Sequence, residues 1–362
     1  MTFGHMAAAQ AGRGMANGAN RIDIELYSDT RTKPTAGMRA AMAEAEVGDE
    51  QAGEDPTTNA LCARIAELLG KEAAVFLPSG TMCNEIALAV HCRPGDAVVA
   101  DRTSHIGNFE GGGPAAIAGV TVSGVDGARG VFTPDQAAAA VEQDYRYAPR
   151  TTLIAVEQTA NLGGGTVWPL PALDAVSALA QQRGLATHMD GARLMNAVVA
   201  SGIAAADFAA TVDSLWLDLS KGLGCPVGAV LAGSRTFIDD CWRWKQRIGG
   251  AMRQSGVLAA AGLYALDNHV SRLAEDHDNA RLFADLIAAI EGVAVEPEHV
   301  ETNIVYFDVK ETGQTAFEIA DRLAEKGVRI GPFDARLMRA VTHLDVDEEG
   351  VRIAAEALAN VV

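Results

Sequence analysis

From about residue 55 the chain alternates between two patterns of apolar and polar positions. The stretch "DPTTNALCARIAELLG" opens with Asp55 as a cap and Pro56 just inside, and stops at Gly70, which predicts a helix. The next run, "AAVFL", is short and apolar and predicts a buried strand, with "GTMCNEIALAVHC" as the helix after it. Further buried strands are predicted at "DAVVAD", "VTVSGV", "TTLIAVEQ", "LATHMD", "SLWLDLS" and "GAVLAG". Helices at "TPDQAAAAVEQD" and "PALDAVSALAQQRG" lie between several of them. Strands alternating with helices predict an α/β fold built on a mostly parallel sheet covered on both faces.

After residue 250 the texture changes. An Ala/Leu-rich helical stretch runs to about residue 291, followed by "TNIVYFDV", "TAFEIADRLAEKG", "VRIGPF", "MRAVTHLDV" and a final amphipathic helix. This predicts a smaller α+β domain joined by a long helix. The expected division is a disordered tail over 1–24, an N-terminal segment over 25–54, a large domain over 55–270 and a small domain over 271–362. The first twenty residues are small and polar and lack the apolar core of a signal peptide.

Composition narrows the partners. The 362 residues are 49% hydrophobic and 21% charged, enough for one large domain with a smaller one appended. The formal net charge is -18 and no Lys/Arg-rich block appears, which argues against nucleic acid and against anionic membrane surfaces as partners. A small anionic ligand remains compatible, because a few local arginines can hold it. No apolar run approaches membrane-spanning length. Five cysteines, an odd number without a Cys-x-x-Cys pair, point to reduced thiols in a cytoplasm. The eight histidines form no His-Glu-x-x-His and no zinc-type cluster, so no metal is expected.

Three stretches carry chemistry. In "PSGTMCNE" (78–85) a strand gives way to a helix, and the exposed N–H groups at the helix start favour an anion such as a phosphate. In "LATHMDGARLMN" (185–196) a strand ends at Asp190 with Arg193 close behind, where open α/β sheets bind ligands. There a carboxylate suits a protonated ring nitrogen and an arginine an anionic oxygen. In "SLWLDLSKGLGCPVG" Lys221 stands at another strand end, followed by Gly222, Gly224 and Gly228, which permit close approach of a carbonyl carbon. A phosphate cup, a ring-nitrogen carboxylate and an imine-forming lysine together are the layout for pyridoxal phosphate (PLP).

With these stretches, "YSDTRTKPT", "GDEQAGEDPTTNALCARIAELLG", "SHIGNFEGGGPAAIAGV", "RIGGAMRQSGVLAAAGLYAL" and "RAVTHLDV" carry a resemblance that covers nearly the whole chain from residue 25 on. The chain resembles the low-specificity L-threonine aldolases, within the beta-eliminating-lyase group of fold-type I PLP enzymes. The resemblance implies an aspartate aminotransferase-like large domain and a small α+β C-terminal domain. It also implies a homotetramer built as a dimer of dimers and a small amino-acid substrate. Lys221 would be the cofactor lysine, Asp190 the partner of the pyridine nitrogen, and Gly80 and Thr81 the phosphate site. Arg193 would sit by the ring oxygen and the substrate carboxylate. His105 would stack on the ring and move protons, and Phe109 would face the substrate side chain. Ser28 and Arg339 would bind the substrate carboxylate, and Arg253 would reach the cofactor of a neighbouring subunit.

Two positions depart from the family pattern. Family members carry Glu-Asn-Thr-His-Asn where this chain has "EQTANLGGG", so Ala160 stands in place of a histidine near the substrate hydroxyl. That leaves His105 or a water as the base and suggests room for bulky side chains. Arg31 replaces a small apolar residue and would add positive charge near the carboxylate end. The implied reaction is retro-aldol cleavage of a β-hydroxy-α-amino acid to glycine and an aldehyde. The alternatives are a phenylserine aldolase or β-eliminating lyase, and a PLP-binding protein without catalysis, which the presence of Lys221 disfavours.

Overall fold

The computed structural model describes residues 21–142 and 145–362. Most of the expected tail (1–20) and the end of the predicted helix 133–144 (143–144) lie outside the described residues. The chain divides into two compact units: residues 33–271 form one, and the chain up to Thr32 joins 272–362 in the other. The segment 25–54 is therefore shared between them.

Eleven strands are described: β1 Ile24–Leu26, β2 Ala73–Leu77, β3 Ala97–Asp101, β4 Thr121–Val125, β5 Thr151–Glu157, β6 Ala186–Asp190, β7 Ser214–Asp218, β8 Ala229–Gly233, β9 Ile304–Asp308, β10 Val328–Pro332 and β11 Leu337–Val341. In the large unit seven of them form one sheet in the order β2-β8-β7-β6-β5-β3-β4. The β4–β3, β3–β5, β5–β6 and β6–β7 pairs are parallel, and only β8 runs against its neighbours β7 and β2. Every residue of β3, β7 and β8 is buried, as expected of strands covered on both faces. The parallel strands share one carboxyl end, and β3, β5, β6 and β7 finish there on Asp101, Glu157, Asp190 and Asp218. In register, Glu157 lies directly beside Asp190.

The helix starts follow their caps. Asp55 caps the helix Pro56–Leu68 by accepting from Thr58 N, and its carboxylate also accepts from Gly48 N and Gly256 N. Burial opposes the charge of Asp55, but these N–H bonds outweigh it and hold the carboxyl below its ordinary value. The stability Asp55 contributes is thus present above the ordinary carboxylate range and fades as pH falls through the lowered value. Ser79 caps the helix Gly80–His91 in the same way, accepting from Met82 N.

The long helix expected up to residue 291 is two helices, Gly256–Asn268 and Leu273–Ile287. The break falls at His269, whose ring Nδ1 meets the Leu223 carbonyl at 2.7 Å and pins the chain to the loop after β7. In the smaller unit a four-stranded sheet has the order β1-β10-β11-β9, with β1 parallel to β10 and the other pairs antiparallel. Its core gathers Phe283, Phe307, Leu323, Val351 and Leu358, which gives the α+β unit its apolar centre. Among the described residues no helix is long and apolar enough to cross a membrane.

Candidate active site

Lys221 stands three residues beyond the end of β7. Its Nζ lies 3.0 Å from Asp218 Oδ2 and 5.7 Å from the centre of the Trp216 ring, with the side chain 16% exposed. Asp218 is itself fixed, because its Oδ1 accepts from the N–H (2.8 Å) and the hydroxyl (2.9 Å) of Ser220. The turn then closes with Gly224 N donating to the Lys221 carbonyl at 2.8 Å, and Gly224 takes φ +76°, where a side chain is strained. The strand thus delivers a lysine whose amine is oriented by a carboxylate and whose exit path is lined by glycine.

Asp190 ends the neighbouring strand β6 and is 3% exposed. Its Oδ1 accepts from Ala192 N (3.0 Å) and its Oδ2 from Asn84 Nδ2 (2.8 Å). Asn84 is the hub of the site. Its amide also donates to Glu110 Oε1 (2.8 Å), while its Oδ1 accepts from Trp216 Nε1 (2.7 Å) and His188 Nε2 (3.2 Å). All four hydrogen-bonding positions of the amide are used. His188 Nδ1 then accepts from Ser214 Oγ (2.9 Å), which accepts from His91 Nε2 (2.7 Å). Accepting at Nδ1 requires the His188 ring to be neutral. Burial favours the neutral form of both rings, lowering His188 to about 3 and His91 to about 4.

The third element is the short helix His105–Asn108 after β3. His105 Nδ1 meets Glu110 Oε1 at 2.7 Å, and its backbone N–H donates to Glu157 Oε2 at 2.6 Å. A ring nitrogen of His105 and carboxylate oxygens of Glu110 and Asp190 lie within 4.8 Å of one another. Burial works against an imidazolium here, but the Glu110 bond and the charges of Asp190, Glu110 and Glu157 outweigh it and raise His105 above its ordinary value. Glu157 is pushed up to about 7 by burial and by the adjacent Asp190 charge. Phe109 packs beside His105, with ring centroids 5.6 Å apart and planes tilted by 39°.

Gly80 and Thr81 form the first turn of the helix that carries Asn84, where backbone N–H groups have no partner within the helix. A Cβ on Gly80 would lie 2.2 Å from the Trp216 ring. Glycine is therefore required there by the tryptophan beneath the turn. Lys221, Gly80 and, through Asn84, Asp190 all border that one indole.

The remaining predicted residues lie on other elements. Arg193 is buried, stands immediately before the helix Leu194–Ser201, and lines a small cleft with Leu217, Asp218 and Gly222. Arg253 has its side chain 62% exposed and pairs with Asp49 at 2.8 Å. Ser28 and Arg339 belong to the smaller unit, where the Arg339 guanidinium donates to the carbonyl of Tyr27, next to Ser28, at 3.4 Å. Arg31 sits in the same unit, 4.7 Å over the Tyr27 ring and 3.8 Å from Glu25.

Ala160 is 4% exposed, and Cβ atoms on Gly130 and Gly163 would lie 2.6 and 3.1 Å from its methyl. These two glycines pack closely against it. A histidine at 160 must push them aside, so we expect Ala160→His to destabilise the fold by about 1–3 kcal/mol by overpacking. Urea unfolding reads that loss, and an unchanged midpoint would contradict the packing argument.

Several residues of the site were not singled out by sequence reasoning: Asn84, Glu85, Glu110, Glu157, Trp216 and Asp218. Asn84 and Glu85 lie inside the motif that drew attention to Gly80, and Asp218 and Glu157 are acids at strand ends, the same signal that marked Asp190.

The arrangement fits PLP on its own terms. A buried carboxylate held by two N–H donors suits a protonated ring nitrogen, and an amine at an adjacent strand end suits covalent attachment. The start of the helix Gly80–His91 suits a phosphate.

Comparison with known proteins agrees. The sequence model of the beta-eliminating lyase family matches residues 25–310. The chain is 41% identical over 327 residues to the low specificity L-threonine aldolase of Escherichia coli K12, covering 90% of this chain and 95% of that protein. It is 37% identical over 333 residues to low-specificity L-threonine aldolase 1 of Arabidopsis thaliana, covering 91% and 93%. The crystal structure of a threonine aldolase from Leishmania major superposes with a TM-score of 0.80 at 21% identity, covering 93% of this chain and 99% of that one. The fold is that of the fold-type I PLP enzymes.

Proposed function

The chain belongs to the beta-eliminating lyase family, and we propose that it is the aldehyde-lyase that cleaves L-threonine, L-allo-threonine or a related β-hydroxy-α-amino acid to glycine and an aldehyde. The observation that carries this reading is the pairing of Lys221 and Asp190 at the ends of adjacent parallel strands, joined through Trp216 and Asn84. Incubation of the purified protein with L-threonine tests it by yielding glycine and acetaldehyde. Ammonia released in their place would favour β-elimination.

The enzyme depends on PLP, which when bound supplies an electron sink for the pair left on Cα. We assign Lys221 as its covalent anchor, Asp190 as the partner of its ring nitrogen and Gly80 with Thr81 as its phosphate donors. His105 covers the ring and takes the hydroxyl proton of the substrate at Nε2, since Nδ1 is engaged with Glu110. Arg193 neutralises the α-carboxylate, and Phe109 bounds the side chain beside His105.

Arg339 is tested separately. If it anchors the α-carboxylate as the family resemblance implies, Arg339→Lys should raise KM about tenfold or more with less effect on kcat, because lysine cannot make the planar two-bond contact. An unchanged KM would leave Arg339 as the residue that ties β11 to Tyr27.

For the assembly we propose a cytoplasmic homotetramer of two dimers, with the exposed Arg253 reaching toward the cofactor of a neighbouring subunit. Sedimentation at assay concentration should show a dimer or larger species, and an active monomer would overturn this.

A further inference from the structure

Behind His105 lies a pair of acids that the reaction as described does not use. Glu85 is 2% exposed, and its side chain meets that of Glu110, which is 8% exposed. Both Glu85 oxygens and Glu110 Oε2 are buried and have no hydrogen-bond partner among the described residues. Glu110 Oε1, by contrast, is fully engaged by Asn84 and His105. Two carboxylates facing each other offer acceptors only, so neither satisfies the other. A single proton between them turns one into a donor and removes the repulsion of two buried like charges. Gly113 closes the space on the far side: a Cβ there would lie 2.0 Å from Glu85 Oε1.

We infer that Glu85 and Glu110 form a buried acid pair that holds one proton between them and thereby sets the charge behind His105. This rests on the reading of His105 as the proton acceptor. Burial and the Glu110 charge push Glu85 up to about 8, so it is the protonated partner at neutral pH. Glu85 donates to Glu110 Oε2, which leaves Oε1 as the anionic oxygen facing His105 Nδ1.

The groups around the pair are few. By sequence, β2, β8 and the turn 114–118, all packed on the helix Gly80–His91, carry no titratable side chain. β6 brings His188 and Asp190, β7 brings Asp218, and the helix Arg235–Arg247 brings the buried Cys241 and Lys245. The charge that acts on Glu85 is that of Glu110. When the pair loses its proton, a second negative charge appears behind His105. The neutral imidazole then becomes a stronger base, with its Nδ1–H held more tightly toward Glu110. Glu85 is thus a positioning residue that acts through Glu110.

The test uses the holoenzyme, with a readout that does not depend on turnover. A pH-difference infrared spectrum should show, beside the Glu157 carboxyl that titrates near 7, a protonated-carboxyl band that disappears only as pH rises through about 8. Glu85→Gln, which keeps a donor to Glu110 but cannot titrate, should lack that band. In Glu110→Gln the band should titrate at lower pH, because Glu85 keeps its burial but loses the neighbouring negative charge. In parallel, the wild-type pH profile of kcat/KM should bend near pH 8, where the pair ionises and the basicity of His105 changes, whereas Glu85→Gln should show no bend there. A band titrating near pH 8 that survives in Glu85→Gln or does not move in Glu110→Gln, or a bend in kcat/KM near pH 8 that persists in Glu85→Gln, would overturn the inference. If the protein fails to cleave threonine but the band behaves as expected, the reaction assignment falls and the acid pair stands.

Discussion

Lys221→Ala is expected to lose covalent retention of PLP and to reduce turnover by about 10⁴-fold or more, which corresponds to about 5.5 kcal/mol of barrier. The size follows from what the substitution removes. Lys221 is the amine that stands at the carboxyl end of the sheet, steered by Asp218 at 3.0 Å and backed by Trp216. Two other lysines of the large unit are committed elsewhere: Lys71 donates to the Val212 carbonyl, and Lys245 is buried against Glu50. Neither can take over without unfolding its surroundings. Asp218 would remain anchored by Ser220, so the strand end should keep its shape and the melting temperature should move little. Steady-state assay and cofactor absorbance after gel filtration measure both losses. Retained turnover would show that the chemistry does not pass through this amine.

The second large effect is expected at His105. His105→Asn keeps an amide donor toward Glu110 but removes Nε2, the one ring nitrogen not held by a carboxylate. Loss of a positioned general base costs about 10²–10⁴-fold in kcat, with KM changed much less. Because Glu110, Asp190 and Glu157 together raise the basicity of His105, the wild-type rate should also fall as pH drops through the raised value. That acid limb should vanish in His105→Asn. A variant with normal kcat would assign the proton to a water instead.

The fold was legible in the sequence wherever the signal was local. Asp55 and Ser79 announce helix starts because a side-chain acceptor three residues from its backbone N–H donor is a matter of the chain alone. The strands were legible because burial on both faces demands continuous apolar runs. β1 was not, since it has three residues, one of them Glu25, and gains its identity only from pairing with β10. The break between the helices Gly256–Asn268 and Leu273–Ile287 was also invisible, because it depends on a bond from His269 to Leu223, 46 residues away.

The site divides the same way. Lys221 and Asp190 could be found because a charged residue at the end of a buried strand is conspicuous. Asn84 could not, since a buried amide in an apolar helix declares its role only through Asp190, 106 residues on, and Trp216, 132 residues on. Glu85 and Glu110 read as ordinary helix and loop acids until the fold places them face to face. At Ala160 a small residue in place of a large one suggests a void, whereas the close approach of Gly130 and Gly163 to its methyl is visible only in the fold.

The most direct measurement is borohydride reduction of the holoenzyme followed by peptide mapping. The account predicts that the cofactor is fixed to a single side chain, Lys221, in the peptide containing "LDLSKGLGCPVG". Recovery of the label on any other lysine, or no fixed label at all, would contradict it.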